Sequence, residues 1–501
     1  MREVQGLTAN AAYALTRTGD LEHAVEVVES GRARLLTEAL ERNRHDLEQL
    51  PARGHGELLA RYRQAAARWA ALTAETERPS EAPLPDAAAR RDALVAVRAE
   101  LHAIVEAVRQ VPGYTDFLRA PKFMPIRDAA REAPLVYLMA TPAGGLALIV
   151  SPVAEHSAAS SVSGVQAVWL DALTGAAVRE QLRGPDDTPE LGGYLRAYAR
   201  WRAEPRNLEN RAHWFNTLET TTRWLWDALM GPLMAALVPA AAPKASPVPA
   251  IVLIPTGLLG LLPLHAAWTE DAAAPHGRCY VLDVTALRYA PNARALTAAQ
   301  ALAETTLTER LLLCVEPQPV SSDPLPAAER EAMDILRYWP PGSYTDRWHL
   351  TATHKELVMQ LPRHTCLHFA GHAFAGWDEP QQGGLLMASN QVLTVRELTG
   401  MRLPLRLAIL SACETGVPGI RLPDEVIGLP TALMEAGVAG VVASFWSVAD
   451  HSTAQLMARF HRLWRQEGLA PPEALRRAQI QLRDEGYAHP FYWGAFAYTG
   501  L

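Results

Sequence analysis

The sequence predicts an α/β protein: a largely parallel sheet flanked by helices, preceded by an α-helical N-terminal region. Three observations carry this. From Ile251 onward, short apolar runs alternate with helical patterns, as in βαβ units. Three of these runs, within Leu367–Asp450, end abruptly in small or polar residues, as buried parallel strands do when their carboxyl ends carry a site. Residues 1 to about 120 show only helical periodicity.

In chain order, Ala11–Leu15 and Leu21–Glu29 flank a Gly19-Asp20 turn with small and large apolar residues at helical spacing. Gly31–Leu36 resembles a helix that joins helical repeats to a following domain. Two longer helices are expected, near 57–75 and 86–110. Leu94, Val97, Leu101, Ile104 and Val108 form one apolar stripe on the second. Pro79–Pro85 separates them, and an antiparallel pair is expected. Pro134–Ala140 and Leu146–Val150 around a Pro-Ala-Gly-Gly turn read as a β-hairpin, and Val165–Leu170 as a further strand. Trp224–Leu237 reads as an apolar helix and Pro239–Pro249 as an Ala/Pro linker. Beyond it, strands are expected at 251–254, 281–289, 310–315, 366–370, 406–411 and 439–444. Helices are expected at 326–337, 354–361, 424–437, 452–466 and 472–484.

The strand ends hold the chemistry. His368-Phe369-Ala370-Gly371-His372 delivers a histidine and Leu407–Cys413 a cysteine. The ligand crevice of an open α/β sheet lies at the carboxyl ends of its strands, so His372 and Cys413 are expected side by side, 41 positions apart in sequence. A thiol becomes a strong nucleophile as thiolate, and an imidazole can take its proton and later protonate a leaving amine. The N–H groups of Ala373 and Cys413 are candidates for an oxyanion hole. Taken singly, a strand-end cysteine is an ordinary small hydrophobe and the histidine an ordinary core or surface residue. Their order and spacing together favour catalysis.

The stretch resembles the CHAT domain, a caspase-like and separase-like cysteine-peptidase domain often found after tetratricopeptide repeats. The resemblance rests on the His372 and Ser411-Ala412-Cys413-Glu414-Thr415-Gly416 segments. It continues through Glu425–Gly437, Ser444-Phe445-Trp446-Ser447-Val448-Ala449-Asp450 and His489-Pro490-Phe491-Tyr492-Trp493-Gly494-Ala495-Phe496. Ala373 stands where many members have glycine. The resemblance spans about residues 130–501 and implies three parts. These are a tetratricopeptide-like helical region with a helical hairpin (1–120), a degenerate pseudo-catalytic half (130–300) and a catalytic caspase-like half (305–501). It also implies limited proteolysis of a protein partner, regulated, in settings that include bacterial defence or signalling, with the helical region open to an activating or regulatory partner. In related separases, an acidic residue of the segment matching Asp450 faces an arginine at P1, the substrate residue before the cut. The residue type equally suits a cap on the helix expected near Ser452. Glu414 is a second candidate for shaping the substrate pocket. His265 has no matching cysteine and reads as structural. Asp378 and Glu379 stand where they can cover the site or orient the histidine.

Composition sets limits. Apolar residues make up 49% and charged residues 20% of the 501, ordinary for a globular chain. The net charge of −7 argues against a general nucleic-acid or anionic-membrane binder. The four cysteines, Cys279, Cys314, Cys366 and Cys413, include no C-x-x-C pair, so neither a disulfide framework nor a metal site is expected, and the chemistry requires no cofactor. No apolar run reaches membrane-spanning length, and Met1–Gln5 opens without a signal-peptide core, so a cytoplasmic location is expected. The alternative function is a catalytically silent scaffold or interaction module on the same fold. A nucleotide-binding domain is disfavoured by the lack of a phosphate loop.

Overall fold

The computed structural model describes residues 6–32, 36, 50–51, 54–74, 87–112, 114, 119–152, 164–185, 193–237, 248–307, 309–377, 379–419 and 424–501. By packing, the chain forms two units, one joining Met1–Leu36 to Pro121–Leu501 and the other Thr37–Ala120.

Helices α1 (Leu7–Arg17) and α2 (Leu21–Ser30) form a hairpin around Gly19, whose φ of +87° suits the turn. Small residues Ala9, Ala12 and Ala24 let the hairpin lie close against the first unit's sheet, where it shares a core with Tyr137, Leu146 and Leu148. In the second unit, α3 (Gly56–Ala74) and α4 (Ala87–Arg109) run antiparallel. Leu59, Tyr62 and Ala65 share a cluster with Ile104, Val105 and Val108, while Arg68 meets Glu100 at 2.7 Å. The Pro79–Pro85 separator and most of the Pro239–Pro249 linker lie outside the described residues.

The strands are β1 (Leu135–Thr141), β2 (Gly144–Val150), β3 (Val165–Leu170), β4 (Ala250–Pro255), β5 (Trp268–Glu270), β6 (Arg278–Tyr280), β7 (Ala286–Tyr289) and β8 (Leu311–Val315). They continue with β9 (Tyr344–Trp348), β10 (Cys366–Ala370), β11 (Ala373–Phe374), β12 (Gly384–Met387), β13 (Gln391–Thr394), β14 (Leu407–Ser411), β15 (Gly440–Ser444) and β16 (Phe496–Gly500). Eleven of them make one sheet, in the order β3-β2-β1-β4-β7-β16-β15-β14-β10-β8-β9. β8, β9, β10, β14 and β15 are mutually parallel, so their carboxyl ends share one edge. β16 enters antiparallel to β15 and parallel to β7 and joins the two parts of the sheet. The fold is thus a mixed, largely parallel sheet flanked by helices, as expected. Alternation along β1 sends Val136 and Leu138 to one face and Leu135, Tyr137 and Met139 to the other, so both faces are cored. No described helix is long and apolar enough to cross a membrane.

Two local expectations need correction. The strand expected over 281–289 divides: Val281–Val284 is a helical turn, started by the Asp283 carboxylate accepting from Tyr280 N at 2.9 Å, and only Ala286–Tyr289 is strand. The helix expected over 424–437 begins at Leu429, because Val426 holds a left-handed backbone (φ +52°) and Pro430 is tolerated only in a first turn.

Candidate active site

Each parallel strand of the second half delivers a polar side chain just past its end. Along the shared edge the order is Ser447 (after β15), Cys413 (β14), His372 (β10), Glu316 (β8) and His349 (β9). The register pairs Ala370 with Ser411, so His372 and Cys413 each stand two residues beyond a paired position on neighbouring strands. Gly371 N donates to Ser411 O at 3.3 Å, which carries the pairing one step further.

Cys413 is half-buried in a tight turn and accepts a hydrogen bond from Ser447 Oγ at 3.1 Å. The backbone N–H groups around it are bonded: Ala412 to Leu410 O, Glu414 to Trp446 O and Gly416 to Ser444 O. Cys413 N itself has no hydrogen bond among the described residues, which leaves it available to an oxyanion. Ala373, the other oxyanion candidate, opens β11 opposite Leu385. Burial pushes the thiols of Cys314 and Cys366 far up, away from thiolate chemistry.

His372 is half-buried, and Nε2 lies 2.9 Å from the carbonyl oxygen of Asp323. A carbonyl only accepts, so Nε2 carries the proton and the neutral ring keeps its lone pair on Nδ1. Burial lowers the imidazole's proton affinity below the usual 6.5, partly offset by the Asp323 carbonyl and the carboxylates of Glu316, Asp323 and Asp450. No hydrogen bond joins His372 to Cys413 in this structure; each is bonded to a different neighbour.

Glu414 is buried at 6% exposure in a left-handed conformation (φ +58°). A non-glycine residue there costs of order 1 kcal/mol. Its carboxylate is held by three donors: Tyr198 OH at 2.5 Å, Arg202 Nε at 3.1 Å and Ala375 N at 3.5 Å. Both side chains come from α5 (Tyr194–Ala203), more than 200 positions upstream. Tyr198 OH also accepts from Ser447 N at 2.9 Å. One phenol therefore ties the turn of the cysteine to the residue that bonds its sulfur. Burial first, then Glu414, raises the Tyr198 phenol well above 10, so it remains a donor.

Asp450 does not cap its own helix. The helix α6 (Asp450–His461) has no side-chain cap, and Asp450 Oδ2 instead accepts from Ala327 N at 2.8 Å, in the first turn of the Pro326–Leu336 helix. No hydrogen bond among the described residues reaches Asp450 Oδ1. Burial, with Glu331 and Glu316, raises this carboxyl above its usual 3.8. Of the loop acids, Glu379 bonds Gln382 while Asp378 lies outside the described residues. His265 is buried in the core. Its Nε2 donates to Gly494 O at 2.8 Å and its Nδ1 accepts from Tyr289 OH at 2.9 Å, a structural arrangement.

Beneath the edge, β10 buries His368 in a chain that sequence reasoning missed. Trp339 Nε1 donates to His461 Nδ1 (3.4 Å), and His461 Nε2 faces His368 Nδ1 (3.1 Å). His368 Nε2 then meets Glu331 Oε1 (2.7 Å). Burial, then His368, depresses His461 well below 6.5, which keeps it neutral. Ser447, Tyr198 and Arg202 were also missed. The alternation of β10 offered a signal for His368; nothing local marks the other three.

Comparison with known proteins bears on the same region. The CHAT domain family model matches residues 219–501, just over half of the chain. No curated protein matches the sequence. Among solved structures, the chain is similar to the separase of the Saccharomyces cerevisiae separase–securin complex, at 9% identity and a TM-score of 0.49, over 82% of this chain and 34% of that one. The chain thus spans about a third of that separase chain. It is also similar to gingipain R, described as an Arg-specific cysteine proteinase, at 8% identity and a TM-score of 0.37, over 57% of this chain and 67% of that one. A structure of the Porphyromonas gingivalis RgpB pro- and mature domains matches at 10% identity and a TM-score of 0.34, over 57% of this chain and 68% of that one.

Proposed function

This chain belongs to the CHAT domain family, and from that premise we propose that it is a cysteine endopeptidase working through Cys413 and His372. The observation that carries the proposal is the shared edge: neighbouring parallel strands, in register at Ala370 and Ser411, each bring one of the two residues two positions past the pairing, and the histidine's Nε2–H is fixed on a carbonyl, which leaves Nδ1 to act as base. In the reaction, Nδ1 takes the thiol proton and the thiolate adds to the scissile carbonyl carbon. The oxyanion is received by Cys413 N, with Ala373 N as second donor. The C–N bond breaks as His372 returns the proton to the leaving amine. Water then attacks the thioester, His372 takes its proton, and the acid and free thiol are released. Ser447 Oγ, donating to sulfur, stabilises the thiolate.

Asp450 is the candidate for recognising a basic P1 residue: Oδ2 is fixed on a helix N-terminus while Oδ1 is unbonded. Glu414, buried and triply held, acts through the cysteine's turn rather than on substrate. The substrate is a protein cut at few sites in the cytoplasm, and the helical N-terminal residues offer a surface for a regulator. Bacterial defence or signalling is a setting consistent with this chemistry.

The test is cleavage of a diverse peptide pool by the intact chain and by Cys413→Ala, read by mass spectrometry. Cuts made by wild type alone, after Arg or Lys and shifted by Asp450→Asn, support the reading. Absence of cuts together with a Cys413 that reacts with iodoacetamide no faster at neutral pH than Cys279 would replace it with the scaffold reading.

A further inference from the structure

We propose that Glu316, Glu329 and His349 form a binding site for one divalent transition-metal ion of the zinc class, on the crevice edge next to His372. Glu316 follows β8, His349 follows β9, and Glu329 lies in the first turn of the Pro326–Leu336 helix. One ligand atom from each lies within 4.8 Å of the others. The three residues come from separate elements, so the tertiary fold brings them together.

Two features point to a cation site. The first is the imidazole. His349 Nδ1 is 3.2 Å from the carbonyl oxygen of Glu316, an acceptor, so Nδ1 carries a proton. That turns Nε2 toward Glu329 Oε1, 3.0 Å away. Nε2 and Oε1 thus converge as two donors of one site. A ring N–H on a backbone carbonyl is also the usual way a metal-bound histidine is oriented.

The second is Glu316. Its side chain is 7% exposed. Oε1 accepts from Leu325 N at 2.7 Å and from Gln318 Nε2 at 3.4 Å. Oε2 has no hydrogen bond among the described residues; it points at the His349 ring, 3.9 Å from Nδ1. A carboxylate more than nine-tenths buried, with one oxygen open, thus faces the cluster. Among the described residues no lysine or arginine pairs with Glu316 or Glu329. The two carboxylates together match the charge of one divalent ion.

The donor set selects the ion. One imidazole nitrogen with two carboxylate oxygens suits zinc and its neighbours, while calcium asks for six to eight oxygens. The position gives the ion a task. The 317–325 segment runs from Glu316 to the Glu329 helix and carries Asp323, whose carbonyl fixes His372 Nε2. An ion on Glu316 and Glu329 braces both ends of the segment that orients the histidine. Binding itself does not depend on the peptidase reading.

The experiment uses the full chain carrying Cys413→Ala, so that the thiol cannot take metal. After chelation and dialysis, Zn²⁺ is titrated against a chromophoric competitor. One ion per chain is expected, with a rise in Tm and an affinity reduced about 100-fold by Glu329→Gln or by His349→Ala. Both variants alter half-exposed side chains, and circular dichroism checks their folding. Co²⁺ in the same site is expected to show d–d bands without sulfur charge-transfer absorption. Lack of stoichiometric zinc, equal affinity in the two variants, or tighter binding of Ca²⁺ than Zn²⁺ would each overturn the proposal.

Discussion

Replacing Tyr198 by phenylalanine removes one oxygen atom and, with it, the tie between the two turns that flank the thiol. The phenol donates to Glu414 Oε1 at 2.5 Å and accepts from Ser447 N at 2.9 Å. The first bond is to a charged group and contributes about 1.5–3 kcal/mol; the second is an ordinary one of about 0.5–1.5 kcal/mol. Arg202 and Ala375 N still hold Glu414, so the variant folds, destabilised by about 2–4 kcal/mol. The local effect is larger. Glu414 loses the shortest of its three ties, and Ser447 N loses the acceptor that positions the residue over the sulfur. Cys413 alkylation is therefore expected to slow in Tyr198→Phe. Urea unfolding followed by tryptophan fluorescence measures the global term. A double-mutant cycle with Glu414→Gln isolates the pair, with a coupling of at least about 1 kcal/mol. Coupling near zero together with unchanged Cys413 reactivity would refute the reasoning.

Ser447→Ala should slow Cys413 alkylation at neutral pH by about tenfold, because a hydrogen bond to a charged group is worth about 1.5–3 kcal/mol; an unchanged rate would remove Ser447 from the site. Glu29→Ala should destabilise the chain by about 2–4 kcal/mol in denaturant titrations, since this buried carboxylate accepts from Tyr137 OH at 2.6 Å and from Ala293 N and Arg294 N at 3.1 and 3.2 Å. Stability should fall in mild acid. Burial lowers His265 from 6.5 to about 4 and His461 well below 6.5, so below 6.5 the unfolded chain takes up protons that the folded chain refuses. Each residue then costs about 1.4 kcal/mol per pH unit from 6.5 downward, for His265 until about 4. Unfolding midpoints compared at pH 7 and pH 5 check this, and His265→Gln should flatten the slope.

Much of the architecture was legible because buried parallel strands must be short, apolar and abruptly ended. Leu407–Ser411 and Gly440–Ser444 lie within a residue of expectation for that reason. The strand-end placement of His372 and Cys413 was legible because the apolar runs before them stop abruptly. Tyr198 and Arg202 were not, because their role depends on a helix docking more than 200 positions away from the residue they hold. Asp450 shows a subtler failure. Its residue type and place argue for capping the helix it begins, yet its carboxylate turns to a neighbouring helix, which no local pattern encodes. Val281–Val284 misled because an apolar run bounded by a capping carboxylate reads the same as strand or as helical turn.

The placement of β16 has a consequence for how the molecule comes into being. Until Phe496–Gly500 is inserted, β7 and β15 each present an unpaired edge, and the sheet exists as two pieces. The seam joins Tyr289 to Thr499, a contact closed across about 210 positions of sequence, which is slow to find. A ribosome-bound chain that has made Cys413 and Ser447 but not residues 496–500 therefore carries the candidate residues without a finished platform beneath them. The candidate site is therefore completed only when the last strand is in place. The same exposed edges make that interval the one in which chaperones matter most for this chain.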